Sequence, residues 1–299
     1  MILYNGASGG LGRYLAGPLS GLEEPSHALT ARLEDQSGLA AELNLLDAGG
    51  AVTFIHLAAR VSVPACESDP SGAHRTNVVL ARSTVETVID WALRRGADAR
   101  VIYVSSGHVY AAQPDGSRLS EDAPLGPRSV YAQTKLAAEQ ELLALASTRG
   151  VPIMVARVFG LLAPRQAPNY VLPALIERAR SGQLDGIPGL DFVREYLDAR
   201  DVCQNLLLLA AAGVSDRSVV ANVCSGVPVT IRQLLRATLG EIDLKRADDL
   251  AQAAVAAPGR SDDIRWLVGD PSLFISLAGS HPQRTPLSRT VADAVRGIG

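Results

Sequence analysis

Short apolar runs alternate with longer stretches of helical periodicity through the first half of the chain. The runs predict strands at Ile2–Tyr4, His27–Ala31, Leu43–Leu46, Val52–Leu57, Val101–Ser105 and Pro152–Arg157. Between them, apolar positions recurring every three to four residues predict helices at Leu11–Leu19, Asn77–Arg95 and Ser129–Thr148. Strand, helix, strand in this rhythm predicts an α/β fold, a Rossmann-type doubly wound parallel sheet covered on both faces. After about residue 160 the pattern changes. Pro164, Pro168, Pro173 and Pro188 interrupt it, with a helix expected near Tyr170–Arg180 and a Gly-rich stretch over Gly182–Gly189. A later apolar run, Ser218–Val223, reads as a strand returning to the main sheet.

Composition narrows the class. At 299 residues, 47% hydrophobic and 20% charged, with a mean hydropathy of +0.14, the chain reads as a globular protein with a substantial core. No apolar run reaches the 18 or so residues of a membrane helix, and no charged region precedes an apolar one at the N-terminus, so no membrane partner and a cytoplasmic location are expected. A net charge of -3 and a pI near 6.0 leave no electrostatic footprint for nucleic acid. Cys66, Cys203 and Cys224 lie far apart and read as reduced thiols, and the five histidines show no ligand spacing, so no metal is expected.

Ile2–Tyr4 runs straight into Gly6-Ala7-Ser8-Gly9-Gly10-Leu11-Gly12. Such a turn between strand and helix suits a dinucleotide: Gly6 for the tight bend, Gly9 for close approach of a pyrophosphate, Gly12 for helix-to-sheet packing. The N–H groups of Ser8, Gly10 and Leu11 and the following helix then face the phosphates. The strand His27–Ala31 ends without an acid and is followed by Arg32, which suits a 2′-phosphate, so NADP(H) is favoured over NAD(H). Glu34 and Asp35 follow closely, and a surface salt bridge is the alternative role for Arg32. The expected organisation is a dinucleotide-binding domain over residues 1–160, rejoined by 192–223, and a mainly substrate-binding region over 161–299.

Tyr131-Ala132-Gln133-Thr134-Lys135 lies inside the helical run Ser129–Thr148. Residues four apart share a helix face, so phenol and ammonium can act together, the positive charge lowering the tyrosine pKa. With 7 tyrosines and two lysines in 299 residues, about 0.05 such pairs are expected by chance. Upstream, Val101-Ile102-Tyr103-Val104-Ser105-Ser106 ends a buried strand at the expected ligand edge, where a serine can hydrogen-bond a substrate oxygen.

Together these features resemble the extended short-chain dehydrogenase/reductase family, the group of nucleotide-sugar epimerases, dehydratases and reductases. The likeness runs through Gly6xxGly9xxGly12, His56-Leu57-Ala58-Ala59, Asn77-Val78, Ser105-Ser106-Gly107-His108-Val109-Tyr110 and Tyr131xxxLys135. It continues in Arg157-Val158-Phe159, Arg194-Glu195-Tyr196-Leu197-Asp198 and Asn222-Val223-Cys224-Ser225-Gly226. The resemblance implies Ser106, Tyr131 and Lys135 as a catalytic triad. It adds Leu45, Leu57, Ala58, Ala59 and Asn77, with Tyr131 and Lys135, to the cofactor-binding residues. It also implies a homodimer built on the helices Asn77–Arg95 and Ser129–Thr148, while packing on the sheet explains Leu136, Ala137, Leu142, Leu143 and Leu145 equally well.

Family members that dehydrate usually carry an acidic pair or a glutamate just after the triad serine or threonine. Here Gly107 and His108 follow, which leaves reduction of a ketosugar or epimerisation. The motifs around Arg194 and Asn222 look most like reductases of nucleotide-linked 4-keto-6-deoxysugars. For the nucleotide-sugar substrate, the resemblance points to Ser106, His108, Asn169, Arg194 and Arg260, arginine suiting a diphosphate through its forked donors. His108 has two readings, an acid/base at a neighbouring sugar carbon or a polar wall of the pocket. A nucleotide-sugar 4-epimerase is the second enzyme reading, and a non-catalytic cofactor-sensing regulator the alternative from another class. Three departures stand out: Asn5 replaces the usual threonine, Gly160 a common asparagine after Arg-x-Phe, and Ala132 a common glycine.

Overall fold

The computed structural model describes residues 1–212, 217–243, 245–259 and 263–297. A parallel sheet runs through its centre. Its strands are β1 (Ile2–Tyr4), β2 (Ser26–Ala28), β3 (Ala51–His56), β4 (Asp98–Ser106), β5 (Ile153–Val158) and β6 (Val219–Val223). They lie in the spatial order β6-β5-β4-β3-β1-β2. The chain leaves β1 for β2 on one side and returns to β3 on the other. The strand order therefore reverses between β1 and β3, where a doubly wound sheet opens a crevice at its carboxyl edge.

Alternate residues of each strand feed opposite faces, as the two-residue period demands. Leu3, Phe54, Val101, Tyr103, Ile153 and Val155 pack under three helices, α1 (Gln36–Asn44), α2 (Ala81–Arg94) and α3 (Val130–Arg149). Their neighbours Ile2, Tyr4, Ile55, Ile102, Met154 and Ala156 meet Val202, Leu206, Leu209 and Phe274 on the other face. Both faces are apolar, which is why the strands read as continuous hydrophobic runs. Each fully buried Leu, Ile, Val or Phe side chain contributes roughly 1.5–3 kcal/mol.

A separate apolar cluster lies towards the C-terminal half. It joins α4 (Val171–Ser181) to α6 (Ile231–Ile242) and α7 (Leu287–Arg296) through Leu172, Leu175, Leu234, Leu235, Leu239 and Val291. Between α4 and α6 in sequence, α5 (Ala199–Ala211) covers the sheet. A reciprocal cap starts α6: the Gln233 amide N–H donates to Thr230 Oγ1 at 3.0 Å and the Thr230 amide N–H to Gln233 Oε1 at 2.8 Å.

Two local expectations are corrected. Leu43–Leu46 is not a strand, because Asp35 N-caps α1 through the Gly38 amide (2.8 Å) and the helix carries Leu39 and Leu43 onto the core. Leu11–Leu19 is not one helix: a single 3-10 turn, Gly12–Tyr14, precedes the four-residue Ala16–Leu19, where Gly17 and Pro18 interrupt helical propagation. The helix expected from Asn77 begins as a π-helical turn, Arg75–Leu80, before α2. Among the described residues, no helix is long and apolar enough to cross a membrane, and no His, Cys, Asp or Glu group is arranged to hold a metal.

Candidate active site

The loops after β1 and β3 meet at the crevice. Gly6 has φ of +69°, and a Cβ there would lie 3.0 Å from the Ala58 amide nitrogen. A Cβ on Gly12 would lie 2.2 Å from the Gly6 carbonyl oxygen, so the turn folds on itself only with glycine. The Gly9 N–H donates to Gly6 O at 2.8 Å, while the N–H groups of Gly10 and Leu11 have no partner among the described residues. This cradle, which side chains would fill, fits a dinucleotide pyrophosphate.

Tyr131 sits in the first turn of α3. Ser129 Oγ caps that helix by accepting from the Ala132 amide at 3.2 Å, and Glu67 Oε1 accepts from the Val130 amide at 2.7 Å. The Ser106 hydroxyl, at the carboxyl end of β4, shares the crevice wall with the Tyr131 phenol and accepts from the His108 amide at 3.2 Å. Ser105, pointing the other way, donates to buried Glu139 instead. Ser106 is thereby singled out as the serine facing the tyrosine.

Lys135 lies a turn beyond Tyr131 but is directed elsewhere. Its ammonium donates to the Val104 carbonyl at 2.8 Å and to the Tyr103 hydroxyl at 3.4 Å, and sits 4.8 Å from the Tyr103 ring centre. Burial lowers Lys135 to about 8, opposed by the charge of Glu139. Burial raises Tyr131 to about 12, opposed by the nearby Ser106 hydroxyl. The expected lowering of Tyr131 by Lys135 is not realised in this arrangement: burial dominates, and the ammonium is committed to Tyr103 and the Val104 carbonyl.

The crevice encloses about 790 Å³ and runs from the glycine turn past Ser106 and Tyr131 to Arg194. Of the residues singled out in the sequence, Gly6, Ser8, Gly9, Gly10, Leu11, Gly12, Leu57, Ala58, Ala59, Ser106, His108, Tyr131, Lys135 and Arg194 line it. Others do not. Arg32 is exposed beside the lining residue Leu33, and its side chain pairs with no carboxylate among the described residues. Leu45 ends α1 at 87% exposure, away from the crevice, because the expected strand there is a helix. Asn77 is buried off the wall: its amide holds the Arg60 backbone at 2.7 and 3.0 Å and donates to Thr134 Oγ1 at 3.0 Å. Asn169 is exposed, and its neighbour Tyr170 faces the crevice in its place. Arg260 lies outside the described residues.

Comparison with known proteins accords with this geometry. The profile of the NAD dependent epimerase/dehydratase family matches residues 2–224. The chain belongs to this family. It is 30% identical over 208 residues to GDP-6-deoxy-D-mannose reductase of Pseudomonas aeruginosa, a match spanning 66% of each protein. It is 24% identical over 228 residues to GDP-6-deoxy-D-talose 4-dehydrogenase of Aggregatibacter actinomycetemcomitans, covering 76% of this chain and 73% of the relative. The structure of RMD from Pseudomonas aeruginosa complexed with NADPH superposes with a TM-score of 0.79 at 26% identity, covering 99% of this chain and 98% of that one. MoeE5 in complex with UDP-glucose and NAD shares the fold at a TM-score of 0.80 and 24% identity, over 99% and 97% of the two chains.

Two departures from the epimerase/dehydratase pattern have physical reasons. Asn5 Oδ1 accepts from the Leu57 and Ala58 amides at 2.9 and 3.0 Å, so its Nδ2 must donate to His56 Nδ1, 3.0 Å away. One side chain thus ties the ends of β1 and β3 together and leaves the imidazole proton on Nε2. Burial, with Lys135 nearby, pushes His56 down to about 3 and keeps it neutral. At Gly160, a Cβ would lie 1.9 Å from the Glu195 carbonyl oxygen and 2.9 Å from the Tyr196 ring. The asparagine common in the family cannot fit, and Tyr196 lines the crevice there instead.

The far end of the crevice was less legible. Arg194 donates to Asp263 Oδ1 at 2.5 Å and to its own chain at Val193 O, 2.8 Å away. Tyr170, Tyr196 and Asp263 join Arg194 in the lining, and none has a spacing signature that marks it in sequence. Glu139 had one: it follows Lys135 by four residues and so shares its helix face.

Proposed function

We propose that the protein is an NADP(H)-dependent reductase of a nucleotide-linked 4-keto-6-deoxyhexose. One observation carries the reading. Ser106 and Tyr131 meet on the wall of a crevice that begins at a phosphate-binding turn and ends at Arg194, with Gly107 and His108 where dehydration would call for acids. The similarity to GDP-6-deoxy-D-mannose reductase supports the substrate class. Exposed, carboxylate-free Arg32 supports a preference for the 2′-phosphate of NADP(H) over NAD(H). In this reading residues 1–160 and 192–223 serve the cofactor and the remainder of 161–299 the sugar nucleotide.

When bound, a reduced nicotinamide supplies the hydride. The chain does the rest. Gly6 to Gly12 and the loop Leu57-Ala58-Ala59 seat the dinucleotide. Ser106 orients the ketone oxygen by hydrogen bonding, and Tyr131, protonated at neutral pH because burial holds it near 12, delivers the proton that completes the alcohol. Lys135 presents its ammonium between Tyr103 and the Val104 carbonyl, within the same wall, for the nicotinamide ribose. His108 serves as a polar wall for the sugar, and Arg194 exchanges Asp263 for a diphosphate. A cytoplasmic homodimer goes with the reading, supported by Val79 (52% exposed) and Leu93 (44%) on the segment from the π-helical turn through α2.

The test is a binding and turnover screen with NAD, NADP and several nucleotide sugars. NADPH oxidation coupled to loss of a nucleotide 4-keto-6-deoxyhexose is expected. Purified protein that carries tightly bound NAD and interconverts nucleotide hexoses without added reductant would make it the 4-epimerase instead. Preference for a free sugar or an aliphatic ketone would remove the nucleotide-sugar assignment.

A further inference from the structure

Arg13 is the first residue beyond the last glycine of the phosphate turn, and no motif gives it a role. Its side chain folds back along the turn. Nε donates to the Gly9 carbonyl at 3.0 Å and Nη2 to the Ser8 carbonyl at 3.2 Å, so one planar guanidinium bridges two successive peptide units. The second of those units carries the Gly10 N–H, which borders the crevice and has no partner among the described residues. The first carries the Gly9 N–H, already committed to Gly6 O at 2.8 Å.

The helical segment that adds its dipole to the turn is short. Only the 3-10 turn Gly12–Tyr14 and the four residues Ala16–Leu19 follow, and a macrodipole is a sum over aligned peptide units. Hydrogen bonds to a charged donor are roughly twice as strong as neutral ones, and successive bonds polarise one another by about 10–30%. A cation on the Gly9 carbonyl therefore makes the Gly10 N–H on the same peptide a better donor.

We propose that Arg13 is a positioning residue for the cofactor's pyrophosphate, acting from the outer side of the turn by fixing the Ser8 and Gly9 carbonyls and polarising the Gly10 amide. This rests on the family's use of NAD(P), and it makes Arg13 an addition to the dipole of the short helical segment that follows the turn. The part of the ligand it serves is the diphosphate common to NAD(H) and NADP(H), not the 2′-phosphate.

The experiment compares wild type, Arg13→Leu and Arg13→Lys by calorimetric titration with ADP, NADH and NADPH, alongside the amide spectrum of the cofactor-free protein. Arg13→Leu is expected to weaken all three ligands alike, by about five- to tenfold, and to move the Gly10 amide proton upfield before any ligand is added. Arg13→Lys, which keeps the charge but not the fork, should fall between the two. A change below twofold, a loss confined to NADPH, or an unmoved Gly10 resonance would overturn the proposal. Should Arg13→Leu melt well below wild type, Arg13→Lys and Arg13→Gln carry the same comparison. A wild-type protein that binds neither dinucleotide overturns the cofactor reading and this inference together.

Discussion

Arg157 holds the Glu139 carboxylate through three hydrogen bonds of 2.7, 3.1 and 3.2 Å, with both side chains almost fully buried. The Tyr110 ring covers the guanidinium, 4.8 Å from its centre, and Ser105 also donates to Glu139. The pair thus clamps α3, which carries Tyr131 and Lys135, to the carboxyl ends of β4 and β5. Removing one partner strands a buried charge. Arg157→Met is expected to cost about 3–5 kcal/mol in urea unfolding, and Arg157→Met with Glu139→Leu clearly less than the sum of the single changes. Strict additivity would contradict the clamp.

Glu139 also acts on Lys135, as the charge that opposes the lowering caused by burial. Lys135 should lose its proton as pH rises through about 8, while Tyr131, near 12, stays protonated. Reduction is therefore expected to slow above about pH 8. In Glu139→Gln the break should move to lower pH, since the stabilising negative charge is gone. Rates of wild type and variant across pH 6–10 check this, and an unmoved break would separate Glu139 from the lysine.

Glu195 is buried with one carboxyl oxygen unpartnered among the described residues, and burial raises it to about 8. Between the ordinary carboxyl value and about 8 the folded state binds more protons than the unfolded one, so its contribution to stability falls as pH rises through that window. His56, lowered to about 3, has the opposite sign below its ordinary value of 6.5. Glu195→Gln removes the first titration alone. Its stability relative to wild type should rise by up to about 1.4 kcal/mol per pH unit from pH 5 to 8, measured by urea midpoints.

Gly160 is closed to side chains by the Glu195 carbonyl oxygen. Gly160→Ala should cost about 1–3 kcal/mol by overpacking and raise the KM for the sugar nucleotide, because Tyr196 and Arg194 must shift with the displaced strand. Cofactor affinity should stay within about twofold. Thermal melts and separate titrations of the two ligands read these effects.

Local chemistry explains how much was legible. Strands β1, β3, β4, β5 and β6 are buried on both faces, so apolar runs marked them to within a few residues. Tyr131 and Lys135 stood out because a helix fixes the spacing of residues four apart. Leu43–Leu46 misled because a two-turn helix with a narrow apolar stripe presents the same short leucine run as a strand, and Leu45 was misplaced with it. Tyr170, Asp263 and the segment carrying Arg194 and Tyr196 converge from three separate parts of the chain, and only the tertiary fold sets their distances. The Asn5–His56 bond is of the same kind, joining residues 51 positions apart.

Tyr131 and Ser106 are proposed to serve hydride delivery to a 4-keto sugar on a nucleotide. NADPH deuterated at the transferable position, given with a GDP- or dTDP-linked 4-keto-6-deoxyhexose, tests it most directly by NMR of the product. One deuterium at sugar C4 per NADPH consumed is the expected result, with the rate cut about 10²–10⁴-fold in Tyr131→Phe. Product formed without deuterium, or turnover indifferent to Tyr131→Phe, would contradict it.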